Sequence, residues 1–311
     1  MASRSVRFLA VALVSLTAVA QGQHRAPRKS AAQVHLQSGP VILIPATVES
    51  GSPELIQIRA PYALSRVEGE WLGHKLQFFP NHDRSAWFSL AGVDVEAPAG
   101  PSKLTITGFV GTTSGESSRD LSLQVPIHPA HYRTASITVA PKFVEPGPEE
   151  KVQIEADSKV KDKAFAEASK SDKPFWSGNF LPPVKAQPTD SFGTRRMFNG
   201  KLASIHKGTD FRAATGTPVH AGNSGAVILA QPLYYEGNCV MIDHGQGLMS
   251  ISMHLSRIDV KPGQQVTRGQ QIGLSGATGR VTGPHLHWAI RWQGAMLDPA
   301  KLLKLNLNSL H

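Results

Sequence analysis

His206-Lys207-Gly208-Thr209-Asp210 and Gly283-Pro284-His285-Leu286-His287-Trp288 decide how this chain is read, with a lone Met253-His254-Leu255 between them. His285 and His287 stand two apart in a strand-like run, which turns both imidazoles to one side. His206 and Asp210 lie four apart. Gly208, Thr209 and the β-like residues that follow weigh against a helix there, and on a loop entering a strand positions i and i+4 also share a face. Imidazole nitrogen plus carboxylate oxygen is a partial ligand set for Zn²⁺. If His287 completes a His–Asp–His triad, a water can take the fourth position, the arrangement of catalytic rather than structural zinc.

Hydrolysis at such a site needs a proton carrier. Between Trp176 and His311 the only glutamate is Glu236, in a Tyr-Tyr-Glu-Gly turn, so the general base should be a histidine, whose pKa lies near neutral pH. His254 and His285 are the candidates, and the sequence does not divide the roles between them. Gly208, Gly279, Gly283 and Pro284 surround these histidines with tight turns that a core histidine would not require. His220 follows Thr217-Pro218-Val219 and reads as incidental, and His244-Gly245 reads as part of a hairpin. Cys239, the only cysteine, lies in the apolar run Asn238-Cys239-Val240-Met241-Ile242 and reads as a core residue.

Outward from this stretch the pattern is mainly β. Residues 176–305 form the expected C-terminal domain, with strands at 226–230, 239–242, 248–253 and 286–290 and a short terminal helix from Asp298. Over 142–173, Pro146-Gly147-Pro148 precedes Glu149-Glu150, and Val152, Ala156, Val160, Ala164 and Phe165 recur near helical spacing. This predicts a helical linker whose many charges form a solvated face. Short alternating runs over 34–128, among them Val41–Ile44, Leu55–Ile58 and Leu104–Thr107, are separated by Gly- and Pro-rich turns. They predict a small β-sandwich and resemble the immunoglobulin-like modules attached to many exported proteins. His74, His82, His128 and His131 in this region have no second ligand at a useful spacing.

The N-terminus bears on the compartment. Arg4 and Arg7 precede the apolar Phe8–Val14, and Ala18-Val19-Ala20 supplies small residues for cleavage, so residues 1–20 read as a secretory signal peptide. No later stretch is apolar for long enough to span a bilayer. The formal net charge of +9 suits an anionic surface such as a cell envelope. Scattered Lys and Arg, with no basic helix or RNP-type motif, argue against nucleic acid. A monomer in the periplasm, or otherwise outside the cell, is the expectation.

The ordered motifs carry a family likeness. His206-Lys-Gly-Thr-Asp210, Gly216-Thr217-Pro218-Val219, His244-Gly245-Gln246-Gly247-Leu248, His254-Leu255-Ser256, Gly269-Gln270-Gln271-Ile272-Gly273 and the Gly276–Trp288 run resemble the M23 (LytM/lysostaphin-type) zinc metallopeptidases over about Phe192 to Leu303. The resemblance implies an antiparallel, barrel-sandwich-like β core with a groove. It also implies one Zn²⁺ per chain on His206, Asp210 and His287, with His254 and His285 catalytic, and peptidoglycan peptide as substrate. Many Gram-negative members cut D-alanyl cross-links and lysostaphin-like members cut glycine bridges, and the motifs do not choose. The family often has Tyr two residues before the histidine matching His254, where this chain has Ser252.

Two other readings compete. An inactive LytM-type regulator that activates another cell-wall hydrolase usually lacks ligands, whereas all five positions are filled here. The run Val260–Gln270 also resembles a biotinyl or lipoyl carrier hairpin, but the acceptor lysine is missing from the expected place.

Overall fold

The strand Arg66–Trp71 shows how the N-terminal half closes: Val67 and Trp71 point inward while Arg66, Glu68 and Glu70 face water, the period-two pattern of a half-buried sheet. In this computed structural model, which describes residues 41–112, 115–136, 146–168, 173–198 and 201–308, two sheets form from residues 41–128. One runs Val41–Ile44, Pro53–Ile58, Trp87–Gly92, Phe79–Pro80, and the other Val48–Glu49, Gly115–His128, Gly100–Thr112, Arg66–Trp71, His74–Gln77. Ile56, Trp71, Leu104 and Val125 bury into a common core, each worth roughly 1.5–3 kcal/mol. The Trp71 indole N–H donates to Ser102 Oγ at 3.0 Å, so the polar edge of this buried ring is satisfied. The signal-peptide reading of residues 1–20 lies outside the described residues.

A ten-stranded sheet carries the C-terminal half, in the order Pro188–Asp190, Thr209–Phe211, Leu286–Trp292, Leu248–Ile258, Gly237–Gly245, Gly225–Leu233, Gln265–Val266, with three short strands off this path. Its central strands read as nearly continuous apolar runs because both faces are covered. Val240, Ile242, Trp288 and Ile290 enter the main core, while Cys239, Met241, Ile251 and Ala289 form a second cluster with Ala164 of the helix Pro148–Ala168. That helix supplies the layer the second face needs.

The helix is tied to the hairpin turn after Gly225–Leu233. Asp157 accepts from the Tyr234 backbone N–H at 2.6 Å, and Lys161 pairs with Glu236 at 2.6 Å. The apolar stripe is shorter than the spacing predicts: Val152 and Ala156 are exposed, and hydrophobic contact begins at Val160. The terminal helix Pro299–Leu302 is capped by Asp298, whose carboxylate accepts from Ala300 N–H. Among the described residues no helix is long and apolar enough to cross a membrane.

Candidate metal centre

The register of three adjacent strands assembles the site. Asp210 stands directly opposite His287 in the antiparallel pair of Thr209–Phe211 with Leu286–Trp292, and Met253, next to His254, stands opposite His287 on the other side. His206 lies in the loop before Asp210, its backbone N–H donating to Thr194 O at 2.9 Å and its carbonyl accepting from Gly193 N–H at 2.8 Å. Gly208 is demanded by crowding, since a Cβ there would lie 2.5 Å from His287 Nε2.

Three atoms able to ligate a metal converge. His206 Nε2 is 3.0 Å from Asp210 Oδ1 and 3.0 Å from His287 Nδ1, and His287 Nδ1 is 2.8 Å from Asp210 Oδ1. Donors of a tetrahedral zinc with bonds of about 2.0–2.1 Å lie roughly 3.3 Å apart, so the triangle needs to open by only a few tenths of an ångström. His206 Nδ1 lies 3.0 Å from the Ser191 carbonyl. A carbonyl only accepts, so the proton sits on Nδ1 and Nε2 offers a lone pair, the orientation a ligating histidine requires. Donor types, spacing and tautomer therefore fit Zn²⁺.

The two remaining histidines share one arrangement. His285 Nδ1 donates to Gly283 O at 2.8 Å and His254 Nδ1 to Thr278 O at 2.9 Å, so in each ring Nε2 is the nitrogen left for proton exchange. Their ring centroids are 4.9 Å apart. Burial, followed by the His287 and His285 imidazoles, pushes the pKa of His254 down to about 3, so its ring stays neutral. His254 also adopts a left-handed backbone, φ 63°, which is costly for a residue with a side chain. Its N–H bond to Glu236 O, 2.8 Å, holds that geometry.

Two residues that the sequence reading did not assign complete the site. Arg196 donates through Nη2 to Asp210 Oδ2 at 3.0 Å and to Asp190 Oδ2 at 2.9 Å, so the Asp210 oxygen that turns away from the two histidines is held. Burial would raise the Asp210 carboxyl, but its contacts with the His206 and His287 rings outweigh it and hold the group well below the usual carboxylate range. Asp190 is likewise kept low against its burial by Arg196 and Arg133. The only available signal was the position of Arg195-Arg196, just before the opening motif. Asp210, His254, His285 and His287 line one cleft of about 350 Å³, with Arg196 and Arg280, and His206 is bonded to Asp210 behind it.

The other candidates fall elsewhere. His244 is fully buried, bonded to Ser224 O and Ser250 Oγ, and His220 belongs to the short strand Pro218–His220. Cys239 is buried in the second core cluster, and burial pushes its thiol up, away from a nucleophile's range. Glu236 is engaged by Lys161.

Two imidazoles and a carboxylate converge on one point of an antiparallel sheet, open on one side to a cleft, a donor set that could hold one metal ion. Residues 204–299 match the model of "Peptidase family M23". Over 120 residues the chain is 45% identical to the peptidoglycan DD-endopeptidase ShyA of Vibrio cholerae, covering 38% of this chain and 27% of that protein. It is 36% identical over 124 residues to the DD-carboxypeptidase/endopeptidase Mpg of Neisseria meningitidis, covering 40% and 29%. The chain thus spans less than a third of these curated relatives' length. Among solved structures, a peptidase M23 from Pseudomonas aeruginosa is 27% identical with a TM-score of 0.58, over 82% of this chain and 96% of that one. The lysostaphin catalytic domain of Staphylococcus simulans is 35% identical over 39% of this chain and 93% of that one, with a TM-score of 0.35. Residues 204–299 are thus a domain of peptidase family M23.

Proposed function

We propose that the chain is an exported zinc endopeptidase that cuts peptide cross-links or stem peptides of peptidoglycan. The observation that carries this reading is the convergence of His206 Nε2, Asp210 Oδ1 and His287 Nδ1 within 3.0 Å of one another, beside two histidines whose Nδ1 atoms are held by backbone carbonyls. The names of the curated relatives support peptidoglycan as the substrate, and the apolar segment near the N-terminus supports export.

His206, Asp210 and His287 would hold one Zn²⁺, which when bound supplies Lewis acidity to the scissile carbonyl and lowers the pKa of water in the open position. The chain's own residues handle the protons. Of His254 and His285, one, as the neutral ring, takes a proton from the attacking water on Nε2, while the other, as the imidazolium, donates its Nε2 proton to the tetrahedral oxyanion and to the leaving amine. Both rings are oriented by Nδ1–H bonds to backbone carbonyls, so the cleft is preorganised and no side chain need turn. Arg196 keeps the Asp210 carboxylate from rotating out of the ligand set.

Digestion of purified sacculi tests the proposal. The zinc-loaded protein should release soluble muropeptides, a chelator should stop release, and added Zn²⁺ should restore it. A protein with stoichiometric zinc and no release, even after removal of residues 21–175, would favour the regulator instead.

A further inference from the structure

Arg280 is a cation without a counterpart. It lines the cleft with His254, His285 and Arg196, yet among the described residues it forms no ion pair. The carboxylate whose charge acts on it, Glu236, is already bonded to Lys161 at 2.6 Å. The side chain is nonetheless held in place. Its backbone N–H donates to Tyr235 O at 2.9 Å, and its guanidinium lies 4.5 Å from the centroid of the Tyr235 ring, an orienting stack. Gly279 lets the loop reach that hairpin: at φ 75°, a Cβ would lie 2.3 Å from Gly237 N.

The charge balance says what this cation is for. Asp190 and Asp210 are both engaged by Arg196, so the two carboxylates of the cleft only offset its two guanidiniums. A divalent ion on the ligand triangle then leaves the cleft positive. An arginine fork fixed on an aromatic face is suited to a carboxylate.

Resting on the peptidase reading above, we propose that Arg280 is a specificity-determining residue that binds a free carboxylate of the substrate peptide. The preferred cross-link then carries a carboxylate close to the scissile amide, as a diamino-diacid cross-link does on the carbon bearing the scissile nitrogen. Neutral glycine bridges do not.

The test uses two synthetic cross-linked muropeptides that differ only in whether that carboxylate is free or amidated. The zinc-loaded wild type should cut the free acid with a kcat/KM about 10- to 100-fold higher, the range a charge-assisted hydrogen bond commands. Arg280→Gln should collapse this ratio toward one, and Arg280→Lys should retain part of it, with zinc content unchanged in both. Equal rates on the two substrates by wild type, or an undiminished ratio in R280Q, overturn the proposal. The wild-type ratio decides the matter alone if R280Q does not fold. Failure to cut either peptide or sacculi would sink the peptidase reading and the subsite with it, whereas sacculus digestion without preference sinks the subsite only.

Discussion

Replacing Gly208 by alanine places a methyl carbon 2.5 Å from His287 Nε2, 2.6 Å from its Cε1 and 2.7 Å from the Trp288 carbonyl oxygen. Non-bonded heavy atoms need about 3.5 Å, so the imidazole or the backbone must retreat by roughly 1 Å. The backbone side resists, because Trp288 pairs with Thr209 in the ladder. The ring is the softer partner, and its retreat moves Nδ1 out of the triangle with His206 and Asp210. Metal–ligand distances tolerate about 0.2 Å. Disturbing a group that merely orients a ligand costs about 10- to 100-fold in metal affinity, so displacing a ligand should cost at least the upper end. Competition against a chromophoric chelator should show Gly208→Ala binding Zn²⁺ at least about 100-fold more weakly, with the metal-free protein losing about 1–3 kcal/mol of stability to overpacking. Wild-type zinc affinity in G208A would refute the packing of His287 against this glycine and its place as a ligand.

Other outcomes follow from the same geometry. His285→Ala should keep its zinc and lose about 10²- to 10⁴-fold in kcat, the contribution of a positioned proton carrier; retained cleavage would remove His285 from the mechanism. Arg196→Gln frees Asp210 Oδ2, bonded at 3.0 Å, and should weaken zinc binding about 10- to 100-fold, and an unchanged dissociation constant would show the contact to be incidental. Glu54 gives a pH dependence remote from the site. Burial raises its pKa from 4.5 to about 8, against a lowering hydrogen bond from Ser52. The folded chain therefore holds this proton more tightly than the unfolded chain. The resulting stability is complete below pH 4.5 and is lost as pH rises through about 8, at up to roughly 1.4 kcal/mol per unit between. Glu54→Gln should lack this slope, so urea midpoints of wild type and variant should diverge between pH 5 and pH 9. Parallel curves would contradict the assignment.

The grouping of the site residues was legible because they are close in sequence or share one short strand: period two sets His287 and His285, and Asp210 follows His206 within one turn of chain. The scarcity of glutamate pointed away from a glutamate base, and the structure pairs Glu236 with Lys161. Arg196 and Asp190 were not legible as partners of the site, since their approach depends on how the hairpin before His206 folds back onto Asp210. The left-handed backbone at His254 and the carbonyls that fix both tautomers have no signature in residue type. The helix shows the same limit. Its spacing announced a helix, but which positions are buried depends on where the hairpin ends, so Val152 is 71% exposed despite falling in the predicted stripe.

Mass spectrometry of muropeptides after digestion of sacculi, run with metal analysis on wild type and Asp210→Ala, tests the central claim most directly. The account predicts one Zn²⁺ per wild-type chain and loss of cross-linked or intact stem peptides, with new ends at a single type of peptide bond, while D210A loses both metal and cleavage. Cleavage of that bond by zinc-free D210A, or intact peptides with fully loaded wild type, would contradict it.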